Sequence, residues 1–285
     1  MRPLGAAEAP LGPWFRPLTA FAPGGAISPV FTLLNGDATM RWRYWRDRLE
    51  QNARRPIPAT EAPAELTDEQ HALVLRSLQE FQLGETGEGR VAHQIDGVQW
   101  EGADDDLRGL IKLWVREEGR HARILALMVQ GMDGALLARH WSTGAFRGLR
   151  RRFGVRFKLL VALTAEIAGA VFYGLLARAL PPGPMASALM ELERDEAAHL
   201  QFQSELFGML GRRWAAHALI QAAWWFFALG VSAMVWWRHA PTLASLGVPR
   251  TRMAFELARS SAEVSRRIHD ARPRPFAAGL QERAS

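Results

Sequence analysis

Residues 107–128, LRGLIKLWVREEGRHARILALM, and residues 189–206, LMELERDEAAHLQFQSEL, decide how this chain folds. In the first, Leu110, Trp114, Glu118, His121, Leu125 and Met128 recur at steps of three and four, the spacing of one helix face. In the second, Leu189, Leu192, Glu196, His199, Gln203 and Leu206 do the same. Each stripe that should enter a core is therefore broken by a Glu and a His one turn apart. Asp104 to Asp106 precede the first stripe and suit the positive end of a helix, while Pro181-Pro182-Gly183-Pro184 separates the second from what comes before.

Two further helices flank these. Thr67-Asp68-Glu69-Gln70 has the form of a capping box, and from it Val74, Leu78, Phe81 and Glu85 run along one face, with Glu88 continuing it as an alternative to Glu85. Gly84, Gly87 and Gly89 each cost a helix roughly 1 kcal/mol against alanine, which is tolerable where the backbone must bend or approach something. Leu159 to Ala177, LLVALTAEIAGAVFYGLLA, has Glu166 as its only charged residue. The carboxylates thus pair with the Glu-x-x-His steps at 118 − 85 = 33 and 196 − 166 = 30 residues, each a helical hairpin, with a longer gap of 166 − 118 = 48 between the hairpins.

An ionised carboxylate buried without a partner costs several kcal/mol, so Glu166 needs a cation or a proton. Cysteine is absent, which excludes disulfides, thiolate metal sites and thiol nucleophiles. Any metal must be held by carboxylate and imidazole. Glu85, Glu118, His121, Glu166, Glu196 and His199 are the candidate ligands, one carboxylate per helix with two Glu-x-x-His steps, the plan of a dinuclear centre in a four-helix bundle.

On these residues, over roughly 67–212, the chain resembles the ferritin-like di-iron carboxylate superfamily. Asp195-Glu196-Ala197-Ala198-His199 is similar to the corresponding motif of acyl carrier protein desaturases and bacterial multicomponent monooxygenases. The resemblance implies an all-α, ferritin-like four-helix bundle with additional N- and C-terminal helices. It also implies two iron ions, or a manganese–iron pair, and oxygen-dependent hydroxylation or desaturation of a hydrophobic, lipid or carrier-linked substrate. Asp195 would orient His121, and Glu117 would orient His199, since a ligating imidazole needs a partner for its other nitrogen. An electron donor, a reductase or ferredoxin, is implied as partner, and a homodimer is compatible.

Some positions depart from the family's branches. Leu125 stands where ribonucleotide reductase small subunits, which share that motif, carry a radical tyrosine, Gly169 and Ala170 where oxygenases carry a threonine, and Leu192 where arylamine oxygenases carry a further histidine. Gly169 and Ala170 leave room for a pocket or allow close helix packing. Tyr173 reads as a core tyrosine, and Gln203 as a bundle hydrogen bond or a substrate contact. The other function classes are a ferritin-like iron-binding or ferroxidase protein and a tRNA-modifying di-iron hydroxylase.

The rest of the 285 residues divides into an N-terminal arm with a short amphipathic helix, RWRYWRDRL, over 1–63, the bundle over 64–212, an apolar fifth helix and an amphipathic helix over 213–270, and a tail over 271–285. The first thirty residues lack an uninterrupted apolar run, so a cytoplasmic protein is expected. Ala218 to Trp237 is about long enough to span a bilayer. Its tryptophans at 224, 225, 236 and 237 lie too close together for two interfacial belts, so a buried fifth helix ending before Pro241 is expected, with membrane contact as the rival. The net charge of +6 comes almost wholly from arginine. The basic stretch 147–158 and RWRYWR can meet an acidic carrier, a lipid head group or RNA, or simply be solvated; no nucleic-acid motif accompanies them.

Overall fold

The computed structural model describes residues 38–86, 89–100, 103–138, 154–211 and 213–272. The first 37 residues, Glu88, the 147–153 part of the basic stretch and the tail from 273 lie outside them. The described residues form helices joined by turns and loops and contain no strand. In chain order the helices are α1 (Ala38–Asn52), α2 (Asp68–Glu85), α3 (Gly89–Gln94), α4 (Asp105–Gly131), α5 (Val155–Ala179), α6 (Pro184–Leu210), α7 (Trp214–Ser245) and α8 (Arg250–Asp270), with one 3-10 turn at Ile95–Gly97.

Local chemistry starts each bundle helix where the sequence signals it. At the head of α2, Thr67 Oγ1 accepts from the Gln70 amide at 3.3 Å while Gln70 Oε1 accepts from the Thr67 amide at 3.0 Å. These satisfy two donors that the first turn would otherwise leave orphaned. Asp104 caps α4 by accepting from the Leu107 amide at 2.8 Å. Pro184 opens α6, where a missing N–H costs nothing. The glycine-rich stretch after Phe81 marks the end of α2 at Glu85 rather than a bend within it.

Packing pairs α2 with α4 and α5 with α6, and α4 meets α6 across the centre. The inward stripes are buried as spaced: Leu110, Trp114, Leu125 and Met128 on α4, and Leu189, Leu192 and Leu206 on α6. Helix α5 is buried nearly all round, which explains why its sequence has no polar face. Outside this core, α1 lays Trp42, Trp45 and Leu49 against α4, and α8 packs on α6 and α7. The cations of RWRYWR are partly engaged within the chain, with Arg46 and Arg43 both paired to Asp106.

Two expectations about the apolar segment are corrected. It is not a buried fifth helix. Both α5 and α7 are long and apolar enough to cross a membrane, but the most apolar stretch of α5 is 94% buried and that of α7 only 22%. Nor does Pro241 end it, for α7 continues to Ser245. The turn around the proline is held by tertiary contacts: Thr242 Oγ1 lies 2.8 Å from Ser77 Oγ, and His239 Nδ1 lies 3.0 Å from the same hydroxyl. Those contacts outweigh the local penalty of proline in a helix. The actual stop is Gly247, at φ 84, where the Val248 amide bonds the Leu243 carbonyl at 2.9 Å and the Gly247 amide bonds the Ala244 carbonyl at 3.0 Å.

Candidate metal centre

Four helices each place a carboxylate at the middle of the bundle, and two of them add an imidazole. Glu118 and His121 come from α4, Glu196 and His199 from α6. One ligand atom from each of these four buried residues lies within 4.8 Å of all the others. The i, i+3 spacing puts the acid and the imidazole on one face, and the stripe that buries Leu and Met on either side holds that face inward. Glu166, from α5, reaches the same point: its Oε2 is 3.1 Å from His199 Nδ1. Glu85, half-buried at the end of α2, is tied to the centre by the Tyr173 hydroxyl, which donates to its Oε1 at 2.6 Å. All six sequence-derived candidates therefore converge, four as one tight cluster and two beside it.

Both imidazoles turn the same edge to the carboxylates. His199 Nδ1 lies 3.1 Å from Glu118 and 3.3 Å from Glu196, and His121 Nδ1 lies 3.2 Å from Glu196 and 3.9 Å from Glu118. The opposite nitrogens meet the acids that precede each motif glutamate. His199 Nε2 is 2.9 Å from Glu117 Oε2, and His121 Nε2 is 3.6 Å from Asp195 Oδ2. Each acid thus meets the imidazole of the opposite helix, because it points about 100° away from the motif glutamate that follows it.

The donor set is underused within the protein. Both ring nitrogens of His121 and the Oε1 of Glu118 are buried and lack a hydrogen-bond partner of good geometry. A buried polar atom left in that state costs roughly 1–3 kcal/mol, more when charged, and native interiors rarely tolerate several together. Glu118, Glu196 and Glu166 converge with the Nδ1 atoms of both imidazoles on one point, a donor set for hard or borderline divalent cations. The residues present fit such an ion.

Electrostatics agree with that fit. Burial and the neighbouring Glu166 charge push the Glu196 carboxyl up to about 8. Burial and the charges of Glu166, Glu85 and Glu196 raise Glu118 well above the usual carboxylate range. For Glu166, burial works against ionisation, but His199 and the donors around it outweigh that and hold it at about 2. Both imidazoles lie well above the ordinary histidine value, because the surrounding carboxylates overcome the burial that disfavours their charge. Without a cation the cluster is thus a shared-proton array, with some acids protonated because like charges cannot all ionise together.

Several contributing residues escaped the sequence reading. Trp114, which the periodicity places in the core stripe, donates its indole N–H to Glu166 Oε1 at 3.0 Å. Gln203 donates to the same oxygen at 2.9 Å, which resolves its open role in favour of a bundle hydrogen bond. Arg55 reaches in from the start of the Pro-containing linker 55–63 between α1 and α2, to Asp195 at 2.5 Å and to Glu117 at 3.3 Å. Against the drag of burial, His121 and Arg55 together hold Asp195 down to about 2. The signal for Arg55 was indirect: two acids beside two buried motifs require compensating charge, but nothing in the linker's spacing says which arginine supplies it.

Gly169 shows close packing rather than a pocket. A Cβ there would stand 3.1 Å from the Tyr173 ring and 3.4 Å from Glu196 Oε1, so the room at Gly169 itself is taken by those two side chains. No family model, curated protein or solved structure matches the chain. The fold is compatible with a ferritin-like di-iron bundle, and the buried carboxylate and histidine cluster could hold a metal ion.

Proposed function

We propose that the chain is a di-iron carboxylate oxidoreductase that uses oxygen to hydroxylate or desaturate a hydrophobic substrate. The observation that carries this reading is the buried set Glu118, His121, Glu196 and His199, with orphaned donor atoms and with Glu166 and Glu85 beside it. Those six residues would hold the irons. When bound, two irons in a carboxylate-rich site supply activation of dioxygen and oxidation of a C–H bond.

The chain's own residues prepare the site for that chemistry. Glu117 bonds the outer nitrogen of His199 at 2.9 Å and the Asp195 carboxylate lies 3.6 Å from that of His121, leaving each Nδ1 directed at the carboxylates. Arg55 offsets the charge of both acids. Trp114 and Gln203 fix one oxygen of Glu166, leaving its other oxygen turned to His199. Around them, Leu110, Leu125, Leu189 and Leu192 are buried and keep bulk water away.

A ferroxidase, which oxidises iron itself, is the second reading. The filled space at Gly169 favours it, since an organic substrate needs room next to the centre and iron(II) does not. Both readings require oxygen uptake by protein loaded anaerobically with iron(II). Single-turnover oxygen consumption, followed with the optical spectrum, should fall to background in Glu118→Ala and Glu166→Ala. Undiminished uptake in those variants would remove the proposal. Continued uptake driven by a chemical reductant supports the oxygenase, whereas uptake that stops when added iron(II) is exhausted supports the ferroxidase.

A further inference from the structure

The outer side of α7 is apolar along its length. Between Trp214 and Trp237 no fully exposed position carries a polar side chain; the large ones are Trp, Phe and Leu, and the remainder are Ala and Gly. Leu219, Phe226 and Leu229 are 71%, 74% and 63% exposed. The opposite side of the same helix packs on the bundle through Trp224, Ala228, Val231 and Val235. Soluble monomers rarely leave so large a contiguous apolar face in water.

The placement of tryptophan says how the face is used. Trp214, Trp225 and Trp236 recur every eleven residues, close to three full helical turns, and so line one side over ~33 Å. Tryptophan prefers the boundary between acyl chains and head groups. In a helix crossing the bilayer, Trp225 would fall at its centre. In a helix lying flat, all three rings share one depth. Crossing would also draw α8 into the acyl region, since it lies against α7 with Ser261 beside Trp224 and the partly exposed Arg259 and Glu263 on either side. The flat orientation leaves those groups in water.

Charge selects the lipid. Helix α7 contains no Asp or Glu, and exposed Arg213 and Arg250 stand at the two ends of the apolar face. Trp236 donates its indole N–H to the Arg250 carbonyl at 3.0 Å, which fixes that end next to α8. A second copy of the chain is a poorer occupant, because a twofold pairing would bring arginine against arginine in either helix direction. We propose that the outer face of α7 docks the protein on an anionic bilayer, with the helix in the membrane plane and the bundle standing in water. The inference is independent of what the metal centre does.

Vesicle flotation of the full-length protein tests it, with phosphatidylcholine vesicles and with vesicles that also contain phosphatidylserine. Wild type should float with the mixed vesicles, more weakly with phosphatidylcholine alone, and less at high salt. The variant Leu219→Ser/Phe226→Ser/Leu229→Ser should partition about a hundredfold less, because three large apolar side chains no longer enter the interface. Circular dichroism checks that it folds. Arg213→Ser/Arg250→Ser should lose the preference for phosphatidylserine while still binding. Should the triple variant fail to fold, quenching of wild-type tryptophan fluorescence by lipids brominated on the acyl chain replaces it, with strong quenching expected. Absence of flotation, absence of quenching, or undiminished flotation of a folded triple variant overturns the proposal. So does a vesicle-inert dimer that the triple variant dissociates, and resistance of the bound protein to alkaline extraction overturns the flat orientation.

Discussion

Removing metal should invert the way the protein's stability depends on pH near neutrality. In the metal-free bundle, burial and Glu166 lift Glu196 from 4.5 to about 8. An acid with a raised native value keeps its proton in the folded state after the unfolded chain has released it, so stability falls as pH rises from 4.5 to about 8. At about 1.4 kcal/mol per unit, the full window amounts to about 5 kcal/mol from Glu196, and about 3 kcal/mol of that lies between about pH 6 and about pH 8. Glu118 is shifted in the same direction. His121 and His199, raised above the ordinary histidine value, contribute stability that is present below about 6.5 and lost as pH climbs through their native values. Glu166 and Asp195, held at about 2, act only below about 4.5 and leave the neutral range flat. A bound cation displaces those protons and is favoured by rising pH. Urea unfolding of chelator-treated and metal-reconstituted protein, compared from about pH 6 to about pH 8, should show the metal-free form losing stability while the gap between the two forms widens. A metal-free protein with constant or increasing stability over that range would refute the reasoning.

Replacing Arg55 by Met removes the cation shared by Glu117 and Asp195, and metal affinity measured by competition with a chromophoric chelator should drop about 10–100-fold while the helical content stays. Gly208→Ala places a Cβ 2.5 Å from that of Ala271, so thermal unfolding should show a loss of about 1–3 kcal/mol with little change in metal content. Trp114→Phe removes one donor from Glu166 and leaves a partly repackable void. A loss of about 1–3 kcal/mol in chemical denaturation is expected, and a neutral outcome would deny that bond a structural role.

The bundle helices were legible because their signals are local. Thr67 and Gln70 announce a cap, Pro184 a start, and the stripe from Leu110 to Met128 a buried face, all through contacts within a few residues. The same periodicity placed Glu118, His121, Glu196 and His199 inside. What periodicity cannot report is which surfaces meet. Arg55 joins Asp195 across 140 residues of chain, and Trp114 joins Glu166 across 52, with no spacing rule linking either pair. The run of Trp, Phe and Leu in α7 was equally silent about whether protein or lipid covers it, since both reward the same composition. Pro241 misled because its local penalty was outweighed by the contacts of Ser77 with Thr242 and His239.

A buried metal centre at the meeting point of α4 and α6 underlies the proposed oxygen chemistry. Elemental analysis of the purified full chain, run beside a His121→Ala/Glu196→Ala variant shown by circular dichroism to be folded, tests it most directly. About two iron ions per chain are expected in the wild type after anaerobic reconstitution, with little or no retained metal in the variant. A folded wild type that takes up no metal, or a variant that holds as much as the wild type, would contradict it.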